Sequence, residues 1–249
     1  MNDHLRSPDA HLDPVVAEAY DSSHSGHFAP TEIDAAIAVL AELAGSGPAV
    51  EFAVGTGRLA IPLAQSGVEV HGIDFSEPML DEMRKKPGAE QITLTNGDMA
   101  ATSAGVEASL VYLVFNTIMN LRSQELQVAC FRNAAAHLAP GGHFLIETMV
   151  PELRLLPPGE TIRPFDVSTE HVGFDEYIDL VNQILISHHC FIDGDRVRRS
   201  SPAFRYVWPA ELDLMAQMAG MELVSRWSDW QRTPFTGESA AHVSIWRKH

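Results

Sequence analysis

A glycine-rich turn between an apolar run and a predicted helix constrains the fold of this chain more than any other feature. Residues 50–58 read Val-Glu-Phe-Ala-Val-Gly-Thr-Gly-Arg, and a second apolar run, 68–73, ends at Asp74. Glycine lets the backbone approach a ligand closely, and an aspartate after the second strand can accept hydrogen bonds from a ribose. The pattern predicts a nucleoside-binding βαβ unit.

The acid inside the first strand, Glu51, bears on which nucleoside binds. A dinucleotide would place a doubly anionic pyrophosphate over this turn, and a carboxylate would repel it. S-adenosylmethionine has no phosphate and brings an ammonium and a sulfonium, which a carboxylate attracts. The spacing alone leaves the choice open, because residues 55–60 also fit the dinucleotide fingerprint. A nicotinamide-dependent oxidoreductase therefore stays an alternative.

Alternating strands and helices predict an α/β fold for residues 31–150. A near-continuous apolar run at 110–115 is typical of a parallel strand that is covered on both faces. We predict a Rossmann-like, doubly wound sheet that is mostly parallel, with an antiparallel C-terminal strand from a closing hairpin. The predicted strands of the complete sheet are 48–54, 68–73, 91–95, 110–115, 143–148, 222–227 and 242–246.

The pattern changes after residue 150. Residues 151–160 hold four prolines or glycines and predict a linker, and Asp193-Gly194 predicts a hairpin turn. Ile178, Leu180, Ile184 and Ile186 are predicted to share one strand face. We therefore predict a single domain, 1–249. Its parts are a cofactor-binding core at 31–150, a small antiparallel β insertion that forms a cap at 161–207, and a C-terminal helix and hairpin at 208–249.

Charge and composition exclude several classes of partner. The net charge is −16, from 17 basic against 33 acidic residues. Nucleic acid and anionic membrane both need a basic surface, so neither is an expected partner. The two cysteines form no ligand cluster, and we predict reduced thiols and no metal site. The first residues lack an apolar segment of signal-peptide length, which favours a cytoplasmic protein.

Four motifs in order identify a resemblance. They are residues 51–57, Asp74, Gly97-Asp98-Met99, and the turn 138–142, Leu-Ala-Pro-Gly-Gly. Together they resemble the class I S-adenosylmethionine-dependent methyltransferases, which implies S-adenosyl-L-methionine as the cofactor. One departure is Ala53, which replaces the usual first glycine. Alanine is small enough for a close ligand approach if its φ is negative, and on that condition we expect binding to survive.

The resemblance implies a role for each motif. Gly55 and Gly57 would pass under the amino-acid part of the cofactor, and Asp74 would take the ribose hydroxyls. Asp98 would accept from the adenine amine while the Met99 N–H donates to the ring. The full set of predicted cofactor-binding residues is Glu51, Ala53, Gly55, Gly57, Asp74, Phe75, Met79, Gly97, Asp98, Met99, Phe115, Asn116 and Tyr20. Four of these residues also have a purely structural interpretation: Met79 as a core residue, Asp98 as a turn residue, Asn116 as a cap and Tyr20 as a surface aromatic.

Methyl transfer asks little more of the protein than in-line alignment and exclusion of water. A general base helps only an acceptor that must lose a proton. The candidate catalytic residues are His188, His189 and Asn116, and the two adjacent histidines should face opposite ways. The candidate substrate-binding residues are Asn120, Glu147, Arg205, Tyr206 and Trp208.

The expected function is methyl transfer to a small molecule, with the accepting atom undetermined among N, O and C. Similar insertions in sugar N-methyltransferases also support dimers, so a homodimer is an expectation of the resemblance. A noncatalytic S-adenosylmethionine-binding protein stays a further alternative.

Overall fold

The computed structural model describes residues 12–22 and 29–249. Within them the helices are α1 (Pro14–Ala19), α2 (Pro30–Ala44), α3 (Ala60–Gln65), α4 (Glu77–Arg84), α5 (Gln124–His137) and α6 (Pro209–Met218). The strands are β1 (Ala49–Phe52), β2 (Val70–Asp74), β3 (Ile92–Asn96), β4 (Ala108–Leu113), β5 (Leu138–Met149), β6 (Ile162–Val167), β7 (His171–Asp179), β8 (Ile184–Asp193), β9 (Arg196–Ser200), β10 (Ala203–Arg205), β11 (Met221–Trp227) and β12 (Ala241–Lys248). Residues 1–11 and 23–28 lie outside the described part of the chain.

The central sheet confirms the predicted doubly wound architecture. Its strands lie in the order β11-β12-β5-β4-β1-β2-β3. The pairs among β1 to β5 are parallel, whereas β12 runs antiparallel to both β5 and β11. The closing hairpin therefore supplies the antiparallel strands, as the sequence predicts.

A hydrophobic core covers each face of this sheet, because successive strand residues point to opposite sides. Val111 belongs to a core that includes residues of α5 and α6. Its neighbours Leu110 and Tyr112 belong to the other core, which includes residues of α2 and α3. All three are fully buried, which explains why this strand reads as a continuous apolar run.

Two strand boundaries differ from the prediction. Residue 115 lies beyond β4, because Phe115 and Asn116 have φ values of +58° and +60°, which no strand residue adopts. β5 begins at Leu138 rather than at residue 143. Leu138 pairs with Ala108, and a register shift precedes the regular ladder that starts at His143. The predicted turn at residues 138–142 therefore lies inside β5, where it interrupts the regular pairing with β4.

The insertion is an antiparallel sheet of its own, with the order β10-β8-β7-β6 and with β9 paired to β8. The predicted hairpin turn at Asp193-Gly194 is confirmed, since it joins β8 to β9. The placement of Leu180 on a strand face is wrong, because Leu180 lies in the turn between β7 and β8 and is 63% exposed. No helix within residues 12–22 and 29–249 is long and apolar enough to cross a membrane.

One face of the inserted sheet packs against the core of the central sheet. Tyr177 of β7 and Leu185 of β8 are paired across the strands, and both are buried in the core that includes Ile118 and Met119. This face is called the inner face below. Ile184 and Ile186 point the other way and form a small separate cluster.

Candidate functional site

The loops that carry the predicted motifs meet at one edge of the central sheet. Because β1, β2, β3 and β4 are parallel, their carboxyl ends lie side by side. Open α/β sheets bind ligands at this edge. The loops that follow these strands hold residues 53–57, Phe75, Gly97-Asp98 and Phe115-Asn116.

Asp74 is oriented by backbone donors at the end of β2. Its Oδ2 accepts a hydrogen bond from the Gly55 N–H at 2.7 Å, and its Oδ1 accepts from the Ser76 N–H at 2.8 Å. A carboxylate accepts hydrogen bonds through both of its oxygens, which is what a ribose diol needs. Asp74 is therefore fixed in place against the glycine loop.

Glu51 lies beneath the same loop and is almost fully buried, at 3% exposure. The Tyr112 hydroxyl donates to its Oε2 at 2.9 Å. Burial raises the pKa of Glu51 to about 8, although the bonds from Tyr112 and from the Ala60 N–H and the nearby Arg58 oppose that rise. A cation that entered this site would draw the carboxyl back to its ionised form.

Ala53 departs from the sequence expectation, because its φ is +52° and not negative. Left-handed backbone costs a non-glycine residue about 1–2 kcal/mol. The glycines that follow, Gly55 and Gly57, also have positive φ, at +56° and +82°. The loop thus keeps the left-handed shape of a glycine at position 53, and the alanine carries the resulting strain.

The loop after β3 is held from two sides. Gly97 approaches Thr102 so closely that a Cβ at position 97 would lie 2.2 Å from the Thr102 Oγ1. Asp98 Oδ1 accepts from the Ala100 N–H at 2.8 Å, which is the turn geometry that the sequence left open. Asn133 of α5 donates to the carbonyls of Met99 and Thr102, each at 2.9 Å. Asp98 is itself exposed.

The N-terminal segment reaches this edge as well. Burial raises the pKa of Tyr20 to about 12; Arg58 opposes the rise, whereas Asp74 and Asp21 add to it. Tyr20 is thus close to the predicted ribose acid. Asp21 accepts from Thr56 Oγ1 at 2.7 Å and forms an ion pair with Lys86. The structure therefore joins this segment to the glycine loop.

Phe115 and Asn116 are locked in left-handed backbone by β5 and the C-terminal loop. Glu147 Oε2 accepts from the Phe115 N–H at 3.0 Å, and its Oε1 accepts from Trp230 Nε1 at 2.9 Å. Asn116 Oδ1 accepts from the Met149 N–H at 2.6 Å. Glu147 and Asn116 hence hold the shape of this loop, and the Arg58 guanidinium lies 5.5 Å from the centre of the Phe115 ring.

The remaining cofactor candidates differ in exposure. Met79 is 2% exposed on α4, whereas Phe75 is 40% exposed. Ser76 caps α4 by accepting from the Met79 N–H at 3.3 Å, and this bond fixes where the helix begins after Asp74.

Arg205, a candidate for binding the acceptor, joins the insertion to the helices. It is 4% exposed and donates to Glu211 at 2.7 Å, to Gln183 at 3.1 Å and to Gln127. Tyr206 is buried and meets Tyr177 edge to face. Trp208 is 38% exposed, just before α6, and Asn120 ends the 3₁₀ turn that follows Asn116.

The two adjacent histidines face opposite sides of the inserted sheet, as predicted. His188 stacks on Phe174 at 4.6 Å and hydrogen-bonds Glu176 at 3.1 Å on the outer face. His189 lies on the inner face, where its two ring nitrogens hydrogen-bond Ser187 and His171. Only His189 therefore shares a face with Tyr177.

Comparison with known proteins decides the family. Residues 49–142 match a family model described as a methyltransferase domain. The solved structure of the CcbJ methyltransferase from Streptomyces caelestis matches with a TM-score of 0.84. The two chains are 36% identical, and the match covers 94% of this chain and 96% of that one.

This chain belongs to the S-adenosylmethionine-dependent methyltransferases. A curated relative, the cypemycin N-terminal methyltransferase of a Streptomyces species, is 25% identical over 76% of this chain and 78% of its own length. The dTDP-3-amino-3,6-dideoxy-α-D-glucopyranose N,N-dimethyltransferase of Streptomyces fradiae is 31% identical over 56% of this chain and 55% of its own length. Membership of this family makes S-adenosylmethionine the cofactor of the methyltransferase.

The residues at the sheet edge fit this cofactor. A buried carboxyl suits an ammonium, a carboxylate oriented at a strand end suits a ribose diol, and positive φ at residues 53, 55 and 57 brings backbone close to the ligand. No basic side chain is needed, since the cofactor carries no phosphate. Glu51, Asp74 and the glycine loop are the residues that would hold it.

Several residues of the site carry no signal in the sequence. Tyr112 reads as one more apolar position of β4, yet it is the donor that holds Glu51. Trp230 lies in a polar loop and holds Glu147, and Asn133 is a mid-helix residue that holds the loop of Asp98. Arg58 adjoins the glycine motif, which is the one local hint among the four.

Proposed function

We propose that this methyltransferase transfers the methyl group of S-adenosylmethionine to an amine of a small molecule. The names of its relatives support an amine acceptor, because those enzymes are described as acting on a peptide N-terminus and on an amino sugar. They differ widely in acceptor size, so the shared chemistry is the nitrogen and not the scaffold.

One observation in this chain carries the proposal. The inner face of the insertion carries a half-buried carboxyl group, Asp175, two residues from Tyr177, which is packed into the core. Burial raises the pKa of Asp175, and the nearby Glu152 adds to the rise. An acid on the face that packs against the core suits a cationic acceptor such as an ammonium, whereas Glu152 is already paired with Arg163 at 3.1 Å.

The division of labour follows from this placement. We propose a single domain in which residues 31–150 bind the cofactor and residues 161–207 cover the acceptor. The cofactor supplies a methyl group on a sulfonium that is already a good leaving group. The protein's part is to align a nitrogen lone pair with that methyl group and to keep water out.

An acceptor panel with matched pairs tests the nitrogen assignment. The panel contains dTDP-3-amino-3,6-dideoxy-α-D-glucopyranose with its 3-hydroxyl analogue, and a short peptide with a free amino terminus alongside its N-acetylated form. We expect S-adenosylhomocysteine and a mass gain of one or two methyl groups with a free amine only. Methylation of the hydroxyl or acetylated partners, with none of the amines, would contradict the proposal. Cofactor binding without turnover of any acceptor would favour a noncatalytic protein.

Two further expectations belong to this proposal. We propose a cytoplasmic enzyme, because Cys130 and Cys190 form no disulfide with one another and reduced thiols are typical of a reducing compartment. A homodimer through the insertion stays a prediction, which light scattering of the purified protein would test. The acidic net charge continues to disfavour nucleic acid as a partner.

A further inference from the structure

A row of hydrogen-bonded polar side chains crosses the inner face of the insertion. Asp175 hydrogen-bonds the hydroxyl of Ser187, its cross-strand partner. Ser187 Oγ lies 3.2 Å from His189 Nε2, and His189 Nδ1 lies 3.1 Å from His171 Nε2. His171 Nδ1 lies 2.7 Å from Asp166 Oδ2. The five groups form one continuous chain across three strands.

From Ser187 to Asp166, solvent exposure increases along this row. Ser187 is 8% exposed and is two residues from Leu185, which is buried in the core of the central domain. The His171 side chain is 18% exposed and the Asp166 carboxyl is 43% exposed. The chain therefore runs from the junction of insertion and core to open water.

Aromatic rings enclose the two histidines. Phe191 stacks on His171 with a centroid distance of 4.6 Å, and Phe165 lies 5.4 Å from His189. Phe165 reaches this position because residue 173 is glycine, where a Cβ would meet the phenyl ring at 2.3 Å. The phenyl rings pack against the two imidazoles, whose nitrogens hydrogen-bond one another along the row.

The charged groups around the histidines come from several elements. Asp166 and Asp175 stand at the two ends of the row. Arg163 of β6 is the cross-strand partner of Asp175 and forms an ion pair with Glu152 at 3.1 Å. Burial and the nearby Glu152 raise the pKa of Asp175, and His188 lowers it. Arg198 of β9 lies 4.4 Å from the centre of the Phe191 ring, with that ring between it and the imidazoles. On the outer face, His188 and Glu176 pair with each other.

Transfer of a methyl group to an ammonium releases one proton for each turnover. The N–C bond forms as the C–S bond breaks, the electron pair of that bond stays on sulfur, and one N–H proton must leave before the nitrogen can attack. The nearby sulfonium favours this loss, because a positive charge lowers the pKa of a neighbouring ammonium. A hydroxyl acceptor would also release one proton.

We propose that this row is the proton exit of the methyltransferase, with Asp175 as the group that takes the proton from the acceptor. Asp175 passes the proton to Ser187 Oγ, whose own proton moves to His189 Nε2. The Nδ1 proton of His189 moves to His171 Nε2, and the Nδ1 proton of His171 moves to Asp166, which releases it to water. Each imidazole gains one proton and loses one, so no charge stays in the row. This inference rests on the proposed function, because it needs an acceptor that loses a proton.

The first arm of the test needs no acceptor. Nitrogen-15 NMR of the imidazoles is recorded on the full chain with bound S-adenosylhomocysteine. We expect Asp175→Asn and Asp166→Asn each to shift the signals of both His171 and His189, since the row is continuous. His249→Gln, at the exposed residue that follows β12, is the control and should leave them in place. Unchanged His171 and His189 signals in Asp175→Asn would overturn the proposal.

The second arm uses whichever compound of the acceptor panel the wild-type enzyme methylates. Asp175→Asn should lower kcat by about 10²- to 10⁴-fold, the usual worth of general acid–base catalysis, and should make the rate follow the acceptor's own deprotonation. His171→Ala should be slow and partly restored by added imidazole, whereas His249→Gln, at an exposed residue outside the insertion, should match the wild type. Wild-type rates and pH profile in Asp175→Asn would overturn the relay. Methylation of a hydroxyl alone would overturn the amine assignment, and the relay would then be tested by the same rate measurements on that hydroxyl acceptor. If no compound is methylated, the NMR arm decides whether the row is continuous.

Discussion

The cofactor edge and the inserted sheet are built on different principles. At the cofactor edge, each functional residue lies within a few positions of a strand end, and main-chain groups orient it, as the N–H groups of Gly55 and Ser76 orient Asp74. In the insertion, the polar residues bond across strands that are 5 to 23 positions apart, as His171 bonds Asp166 and His189, and as Gln183 bonds the Tyr206 carbonyl. The comparison shows that local sequence can encode the residues of the cofactor edge, while the polar row of the insertion depends on strand pairing.

The two regions should fail separately, and Arg205→Ala is the strongest expected test. Arg205 forms a buried ion pair with Glu211 that joins the insertion to α6. Removing one partner of a buried pair costs about 3–5 kcal/mol. We expect a large loss of unfolding free energy in chemical denaturation, with S-adenosylhomocysteine affinity retained under native conditions. Arg247→Ala, which breaks an exposed pair with Glu222, is the control. A joint loss of stability and affinity would show that the regions are coupled.

Glu51→Gln should stabilise the cofactor-free protein and weaken cofactor binding. The folded pKa of Glu51 is about 8, against an ordinary value of 4.5. Between these values the folded protein holds a proton that the unfolded chain has released. The protonated Glu51 carboxyl therefore contributes stability that is fully present below about pH 4.5 and is lost as pH rises through about 8.

At pH 7 the substitution should raise the free energy of unfolding of the cofactor-free protein by about 3 kcal/mol. It should also weaken cofactor binding, because the amide cannot ionise beside an ammonium. Thermal melts from pH 5 to pH 8 should slope less in the variant than in the wild type. Equal slopes would mean that Glu51 is already ionised without cofactor.

Asp74→Ala should weaken S-adenosylhomocysteine binding by about 1–3 kcal/mol, the scale of unpaired hydrogen-bonding groups. The fold should persist, since Asp74 is at a strand end. Calorimetry measures the affinity, and Asp81→Ala on the exposed side of α4 is a matched control. Tight NADH binding by the wild type, with no signal for S-adenosylhomocysteine, would contradict the nucleoside assignment altogether.

Ala53→Gly should have the smallest effect and sharpens the reading of the glycine loop. Ala53 has φ of +52°, and removal of its Cβ relieves about 1 kcal/mol of left-handed strain. We expect a slightly higher melting temperature and unchanged or tighter cofactor binding. Glycine at position 45, also at positive φ with open space around it, offers Gly45→Ala as a contrast that should destabilise.

The sequence predicted the cofactor half in some detail because its signals are local. Alternating strands and helices, the Gly-x-Gly turn and the acids in or directly after strands β1 to β3 each depend on neighbours along the chain. Parallel strands then bring those loops to one edge without further information. The sign of φ at Ala53 was not predictable, because the surrounding loop imposes it.

The roles of Glu147, Asn116 and Arg205 show where local reasoning ended. Each is a polar residue near the expected acceptor site, and each is held by groups far along the chain, such as Trp230 for Glu147 and Gln127 for Arg205. Polar residues at such positions read alike in a sequence, whether they bind a ligand or support a loop.

By itself, then, the sequence determined the fold class, the family and the cofactor of this methyltransferase. Periodicity and turn chemistry act over a few residues, and the class I motifs lie within them. Only the tertiary structure decided which histidine faces the core, and which acids it meets. Strand register sets those relations: a shift of one residue would move His189 to the outer face and would break the row from Asp175 to Asp166.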